Sequence, residues 1–256
     1  MAGLGVLVRK ELLESWRTLR LPIIAGLFLF VGLSSPLLAK FLPEIITAAG
    51  GDQFGAFPIP TPVMTDAIDQ LWKNLAQFGA FAAIILAMGA VSGELDRGTA
   101  AFVLSKTATR GAFLAAKVVA IGAVLGLSTI LAVVLGWIYT AILFEPPAPA
   151  GWVALAAMAW LGLCGWAAIT FLASVVTGST AAAAGIGFVA LLVLSVVSAI
   201  PNVSRFGPGG LAEPAVALAA GAPVEAGGVL VPVFSTVVLI GVSLALAAWS
   251  FRRREI

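Results

Sequence analysis

Residues 118–144 read VVAIGAVLGLSTILAVVLGWIYTAILF, twenty-seven positions without one Asp, Glu, Lys or Arg. A helix rises 1.5 Å per residue and the hydrocarbon core of a bilayer is ~30 Å thick, so about twenty apolar residues suffice to cross it. A buried helix of a soluble domain needs only one apolar stripe, whereas this run is apolar on every side. It therefore predicts a membrane span. Five more segments read the same way: 21–42, with Lys40 near its end; 75–92, with Gln77 near its start; 152–176; 180–200; and 228–251, which stops at Arg252-Arg253-Arg254. The expectation is an all-α integral membrane protein with six transmembrane helices.

Composition agrees. Hydrophobic residues make up 61% of the 256, charged residues 10%, and mean hydropathy is +1.11. A soluble domain carries roughly 25% charged residues, so a soluble enzyme, a disordered chain and a nucleic-acid binder are excluded. There is no histidine, and Cys164 is the one cysteine. An internal disulfide, Cys/His zinc sites and haem ligation through histidine fall with them. Cys164 reads as a small buried hydrophobe. Neither catalytic nor metal-ligating residues are expected, and no span carries a charge near its middle, which disfavours an ion-coupled transporter.

The few charges set the orientation. With the N-terminus inside, Arg9, Lys10, Arg17, Arg20, Arg97, Lys106, Arg110, Lys117, Arg252, Arg253 and Arg254 fall inside, against Lys40, Lys73 and Arg205 outside. Counting the acids, the inside carries a net +6 and the outside −4. Loops rich in Lys and Arg stay cytoplasmic, so both termini are expected in the cytoplasm. The basic start is long and contains Glu11 and Glu14, and no small-residue cleavage site follows the first apolar run, so an uncleaved first span is expected.

Outside the spans, residues 1–20 place Leu4, Val8, Leu12, Trp16 and Leu19 on one helical face and Lys10, Glu14 and Arg17 on the other, with Arg9 and Arg20 at the margin. This describes an amphipathic elbow helix in the interface, or simply a basic flank that orients the first span. Between the first two spans, Gly50-Gly51, Pro58, Pro60 and Pro62 mark irregular chain, and Thr65-Asp66 mark a helix start.

The loop 93–117 is the most informative. It runs Gly93-Glu94-Leu95-Asp96-Arg97-Gly98-Thr99, then Phe102-Val103-Leu104-Ser105-Lys106, then Thr109-Arg110 and on to Lys117. Gly98 permits a turn, and Thr99 and Thr109 can each cap a helix. The short helix so defined is apolar at Phe102, Val103 and Leu104, which makes it a plug for a partner's groove or a helix resting on lipid. Span five has small residues four apart, Ala181 with Gly185 and Ala183 with Gly187, which allow close helix approach. Residues 201–227 hold the apolar run 215–220, too short to span, among Pro208, Gly209, Gly210, Pro214 and Pro223. Phe28, Phe78, Phe81, Trp160 and Trp166 are candidates for a substrate path, although aromatic residues in spans also serve as plain packing.

The series Gly93-Glu94-Leu95-Asp96-Arg97-Gly98-Thr99…Leu104-Ser105-Lys106…Arg110…Lys117 resembles the first cytoplasmic loop of type-2 ATP-binding-cassette (ABC-2) exporter permeases. Val8-Arg9-Lys10-Glu11-Leu12 followed by Arg17 resembles their elbow. Lys106-Thr107-Ala108 stands where many members carry a proline. The resemblance implies a type V exporter-like fold in the prokaryotic inner membrane, with 93–117 as a coupling loop and 201–227 as a re-entrant segment. It also implies that Glu94, Asp96 and Arg97 hold the loop to the elbow or to a cytoplasmic ABC ATPase. Gly98 and Thr99 would start the coupling helix, Phe102, Val103 and Leu104 would fill the ATPase cleft, and Arg110 would pair with an acidic group. Arg9, Lys10, Glu11, Trp16 and Arg17 would form the elbow. Spans one and five would meet a second permease copy, with Ala181, Gly185 and Gly187 at the seam.

The chain has no Gly-Lys pair and thus no P-loop, so ATP and Mg would sit on two copies of a partner ATPase and this subunit would not be an enzyme. The expected function is outward transport of a hydrophobic or amphiphilic substrate. Its alternatives are delivery of a metal or sulfur species to a periplasmic enzyme, or a non-transporting scaffold.

Overall fold

The computed structural model describes residues 2–48, 61–96, 98, 109–198, 200 and 203–253, and their regular structure is entirely helical. In chain order the helices are α1 (Ala2–Arg17), α2 (Arg20–Ala48), α3 (Met64–Met88), α4 (Ser92–Asp96), α5 (Arg110–Leu143), α6 (Pro149–Thr177), α7 (Thr180–Val197), a 3-10 turn (Pro208–Leu211), α8 (Ala212–Ala219) and α9 (Ala226–Arg253). Six of them, α2, α3, α5, α6, α7 and α9, are long and apolar enough to cross a membrane. The protein is multi-pass, with an apolar belt facing outward: Val189, Leu192 and Val196 on α7, and Phe234, Val242 and Trp249 on α9, are all exposed.

Helix ends follow local chemistry. Leu19, with φ 60, breaks α1 from α2 in the left-handed region that L side chains avoid. Pro22 falls in the first turn of α2, where a missing N–H costs nothing. Helix α3 starts eleven residues ahead of the apolar run at 75, because 64–74 is amphipathic. There Ile68, Leu71 and Trp72 are buried, while Asp69 and Lys73 pair on the exposed side. Asp66 sits in the first turn and its Oδ2 accepts from Val63 N at 2.9 Å. Thr109 caps α5, its Oγ1 accepting from Ala112 N at 3.1 Å. Gly178 (φ 66) ends α6, and Ser179 caps α7 directly after it.

Helix α6 is the hub, touching α3, α5, α7, α8 and α9. Its buried positions Trp152, Leu155, Ala159, Leu163 and Trp166 recur at helical spacing. Helices α2 and α5 cross so closely that a Cβ on Gly32 would fall on the Ala132 carbonyl oxygen. Helix α8 seats on the start of α6 in the same way, at Gly151 against the Leu218 carbonyl. Asn74 Nδ2 donates to Ser35 Oγ at 2.9 Å, tying α3 to α2 inside the bundle.

Candidate functional site

Three elements meet where the segment 93–117 leaves and rejoins the bundle. Helix α4 is held to the α6–α7 corner by hydroxyl groups. Ser174 Oγ accepts from Val91 N at 3.3 Å and Ser92 N at 3.1 Å, and Ser92 Oγ lies 2.9 Å from Thr180 Oγ1. These contacts satisfy N–H groups that a helix start leaves open. Helix α5 returns with Lys117 two turns after Arg110. Helix α1 lies against α5, with Val8, Glu11, Leu12 and Ser15 half-buried on its inner face.

The charges of these elements form one cluster. Lys117 Nζ donates to Glu94 Oε1 at 2.7 Å and to both carboxylate oxygens of Glu11 at 3.2 Å. Lys10 Nζ donates to Glu94 Oε1 and Glu11 Oε1, each at 3.2 Å, and lies 3.5 Å from Glu14 Oε2. The Glu94 and Lys117 side chains are only 7% and 4% exposed. Burial pulls the Lys10 pKa down, but the carboxylates of Glu11 and Glu94 more than offset it and hold it above the ordinary lysine value. Carboxylate oxygens of Glu11, Glu14 and Glu94 lie within 4.8 Å of one another, and the two ammonium groups reach into the same group of atoms. Lys117 Nζ also lies 5.0 Å from the Phe113 ring centroid.

A second tie joins α5 to α9. Arg110 Nη1 donates to the backbone carbonyls of Phe251 at 3.3 Å and Arg252 at 2.8 Å, at the end of α9 where helix carbonyls lack partners and the dipole is negative. Phe113 and Phe251 stack beside it, centroids 5.7 Å apart.

Of the residues singled out from sequence, Lys10, Glu11 and Glu94 come together, and Lys117 joins them. Arg9, Trp16 and Arg17 are exposed and apart from the cluster. The inner face of α1 centres on Glu11 rather than on the apolar row, so Leu4, Trp16 and Leu19 point outward. Asp96 closes α4, and Gly98 turns with φ 66. Arg97, Thr99, Phe102, Val103 and Leu104 lie outside the described residues. Ser174 and Thr180 were missed, since a Ser or Thr in an apolar run gives no signal of its partner.

The structure places two further sets of candidates. Gly187 is buried within the subunit, where a Cβ would stand 2.6 Å from Thr170 Oγ1 and 3.1 Å from Ile84 Cγ2. It serves close packing of α7 on α6 and α3 within the subunit. Ala181 and Gly185 lie on the opposite, exposed face. The five aromatic path candidates do not share a cavity. Phe28 is a core side chain, Phe81 packs against Phe188 of α7 at 5.6 Å, Phe78 is exposed, and Trp166 borders a separate cavity of about 290 Å³. Of the five, Trp160 alone lines an apolar groove of about 860 Å³ between α5, α6 and α9. Inside a bilayer an aromatic side chain gains as much against lipid as against a lumen, so hydrophobicity does not tell the two apart.

Comparison with known proteins fits this architecture. The family described as "ABC-2 family transporter protein" matches over residues 6–216. The sequence is also 29% identical over 219 residues, covering 81% of each chain, to the uncharacterized transmembrane protein YxlG of Bacillus subtilis (strain 168). Members of the family are membrane components of transporters that work in general with an ATP-binding subunit. The match runs from within α1 into α8 and includes all five residues of the ion-pair cluster, and by it the chain belongs to the ABC-2 family of transporter proteins.

Proposed function

We propose that the chain is the permease subunit of an ATP-driven exporter in the prokaryotic cytoplasmic membrane, with both termini inside. It pairs with a second copy and with two copies of a cytoplasmic ABC ATPase, on which ATP and Mg reside. The residues between α4 and α5 dock in the ATPase, with Phe102, Val103 and Leu104 as the apolar plug. The cargo is hydrophobic or amphiphilic.

The observation that carries this reading is the cluster of Lys10, Glu11, Glu94 and Lys117, buried at Glu94 and Lys117. It ties both ends of the loop to each other and to α1, so a displacement of the loop is passed to the bundle rather than absorbed locally. A solvated loop with no mechanical task has no need of a costly buried ion group. The test is to co-express the chain with its P-loop ATPase, purify the complex in nanodiscs and measure hydrolysis. Replacing Phe102 and Leu104 with Ser is expected to abolish co-purification while leaving the permease folded. Intact assembly and hydrolysis in that variant would overturn the assignment.

A further inference from the structure

The groove between α5, α6 and α9 contains none of the charged residues of the ion-pair cluster. At about 860 Å³ it is the size of a small-molecule site. It exists because side chains are missing. Gly122 and Gly126 on the α5 wall stand across from Ala156, Ala157 and Ala168 on the α6 wall. Small residues in membrane helices ordinarily let two backbones touch. Here the position a Cβ would take on Gly122 meets nothing within 4 Å, so its smallness is not used for packing within the described chain, whereas Gly126 makes room for the Trp160 indole, whose Nε1 would stand 3.2 Å from a Cβ there. Trp160 reaches across from α6, and its Nε1 donates to the Gly122 carbonyl at 2.9 Å, which satisfies its one polar atom. Beyond that indole, the only heteroatoms among the lining side chains are the Thr129 hydroxyl and the Cys164 thiol. These are walls for hydrocarbon.

Length and charge narrow the occupant. The α5 wall runs from Val118 to Ile130, roughly 18 Å at 1.5 Å per residue, close to one leaflet of a ~30 Å core. Past one end of the groove, α5 and α9 converge at the Phe113–Phe251 stack and the Arg110 bonds. Arg252 and Arg253 are exposed there, about 12 Å along α9 from Leu244, the last α9 residue of the lining. Apolar walls of leaflet length with exposed cations at one end match an anionic lipid, since basic side chains beside spanning helices attract anionic headgroups. We infer that this groove binds an anionic phospholipid, one acyl chain lying between α5 and α6 and the phosphate meeting Arg252 and Arg253.

The experiment uses the full chain in nanodiscs of equal parts phosphatidylglycerol and phosphatidylcholine, with a trace of phosphatidylglycerol carrying a diazirine in its acyl chain. After irradiation, labelled peptides are mapped by mass spectrometry. Label is expected to concentrate on 118–130 and 153–171. Gly122→Leu puts a side chain into open space and replaces glycine with a better helix former, so it folds and fills the groove. It reduces label there to the level of the outer α7 surface, while Gly185→Leu, the same change on open α7 surface, leaves it intact. The double variant Arg252→Gln/Arg253→Gln lowers the preference for the phosphatidylglycerol probe over a phosphatidylcholine probe about ten- to thirty-fold, what two basic side chains near a membrane surface supply. Label spread evenly over the exposed apolar helices, label unchanged by Gly122→Leu, or equal labelling by the two probes in the unaltered protein would each overturn the assignment.

Discussion

Replacing Lys117 with Met takes the central cation from the cluster and leaves Lys10 alone against the carboxylates of Glu11, Glu14 and Glu94. Two unit charges ~4 Å apart at an effective dielectric of ~20 interact by about 4 kcal/mol. Removing one partner of a buried pair typically costs about 3–5 kcal/mol. The Lys10 side chain is 44% exposed, so water and Lys10 screen part of the loss and the lower end, ~3 kcal/mol, is expected. Glu94→Gln costs less, about 1–2 kcal/mol, because Lys117 keeps both of its contacts to Glu11. In the double variant the buried cation and its nearest anion leave together, so the total falls short of the sum by at least ~1 kcal/mol. The assay is a double-mutant cycle on unfolding midpoints in nanodiscs. At about 2–4 °C per kcal/mol for a chain near this size, Lys117→Met alone lowers the midpoint by roughly 6–12 °C. Additivity within ~0.5 kcal/mol would show that the 2.7 Å contact does not join α4 to α5 energetically, and the coupling argument would lose its support.

Three further changes probe the scaffold. Gly32→Ala drives a methyl group into the backbone of Ala132, so α2 and α5 must separate at a cost of about 1–3 kcal/mol. Gly26→Ala on the open side of the same helix gains about 0.5–1 kcal/mol from helix propensity, and the two midpoints should therefore move in opposite directions. Leu19→Asn relieves the left-handed strain at the α1–α2 break, where the side chain is exposed. A gain of about 0.5–1 kcal/mol is expected, and a lowered midpoint would mean that the exposed leucine is held by contacts outside the described chain.

The six spans were legible because charge was absent from them, a property each segment carries by itself. So was the capping of α5 by Thr109, which is local chemistry. The faces of helices were not legible. Helix α7 is apolar all round, so nothing in its sequence says that Ala183 and Gly187 turn inward while Ala181 and Gly185 turn out. On α1 the sequence showed an apolar row for the interface, but not that Glu11, with Val8 and Leu12, would face α5 and meet Lys117. Glu94 was singled out by the loop pattern, whereas the burial of Lys117 was not legible, because a lysine next to a span ordinarily reads as a headgroup anchor. The polar tie from Ser92 to Ser174 and Thr180 joins residues more than eighty positions apart, beyond any local pattern.

The two ties at this end of the bundle are connected through α5. Glu94, α1 and Lys117 form one group, and Arg110, two turns before Lys117, holds the last carbonyls of α9. A push on the chain between α4 and α5 meets two alternatives. It can break the cluster, at about 3–5 kcal/mol, or it can carry α1 and the start of α5 as one body. The second costs less wherever the adjoining helices have room to move. Among the described residues they have it beside the groove. Helix α2 is locked to α5 at Gly32 by backbone contact, whereas α5 and α9 touch at the Phe113–Phe251 stack and stand apart beside the groove. The compliant direction is therefore rotation of α5 against α9 about that stack, which widens or narrows the groove. In the coupling reading, force delivered by an ATPase reaches the lipid-facing slot before it reaches the packed core, and Gly122→Leu, which fills the slot, should then slow transport without changing ATPase assembly.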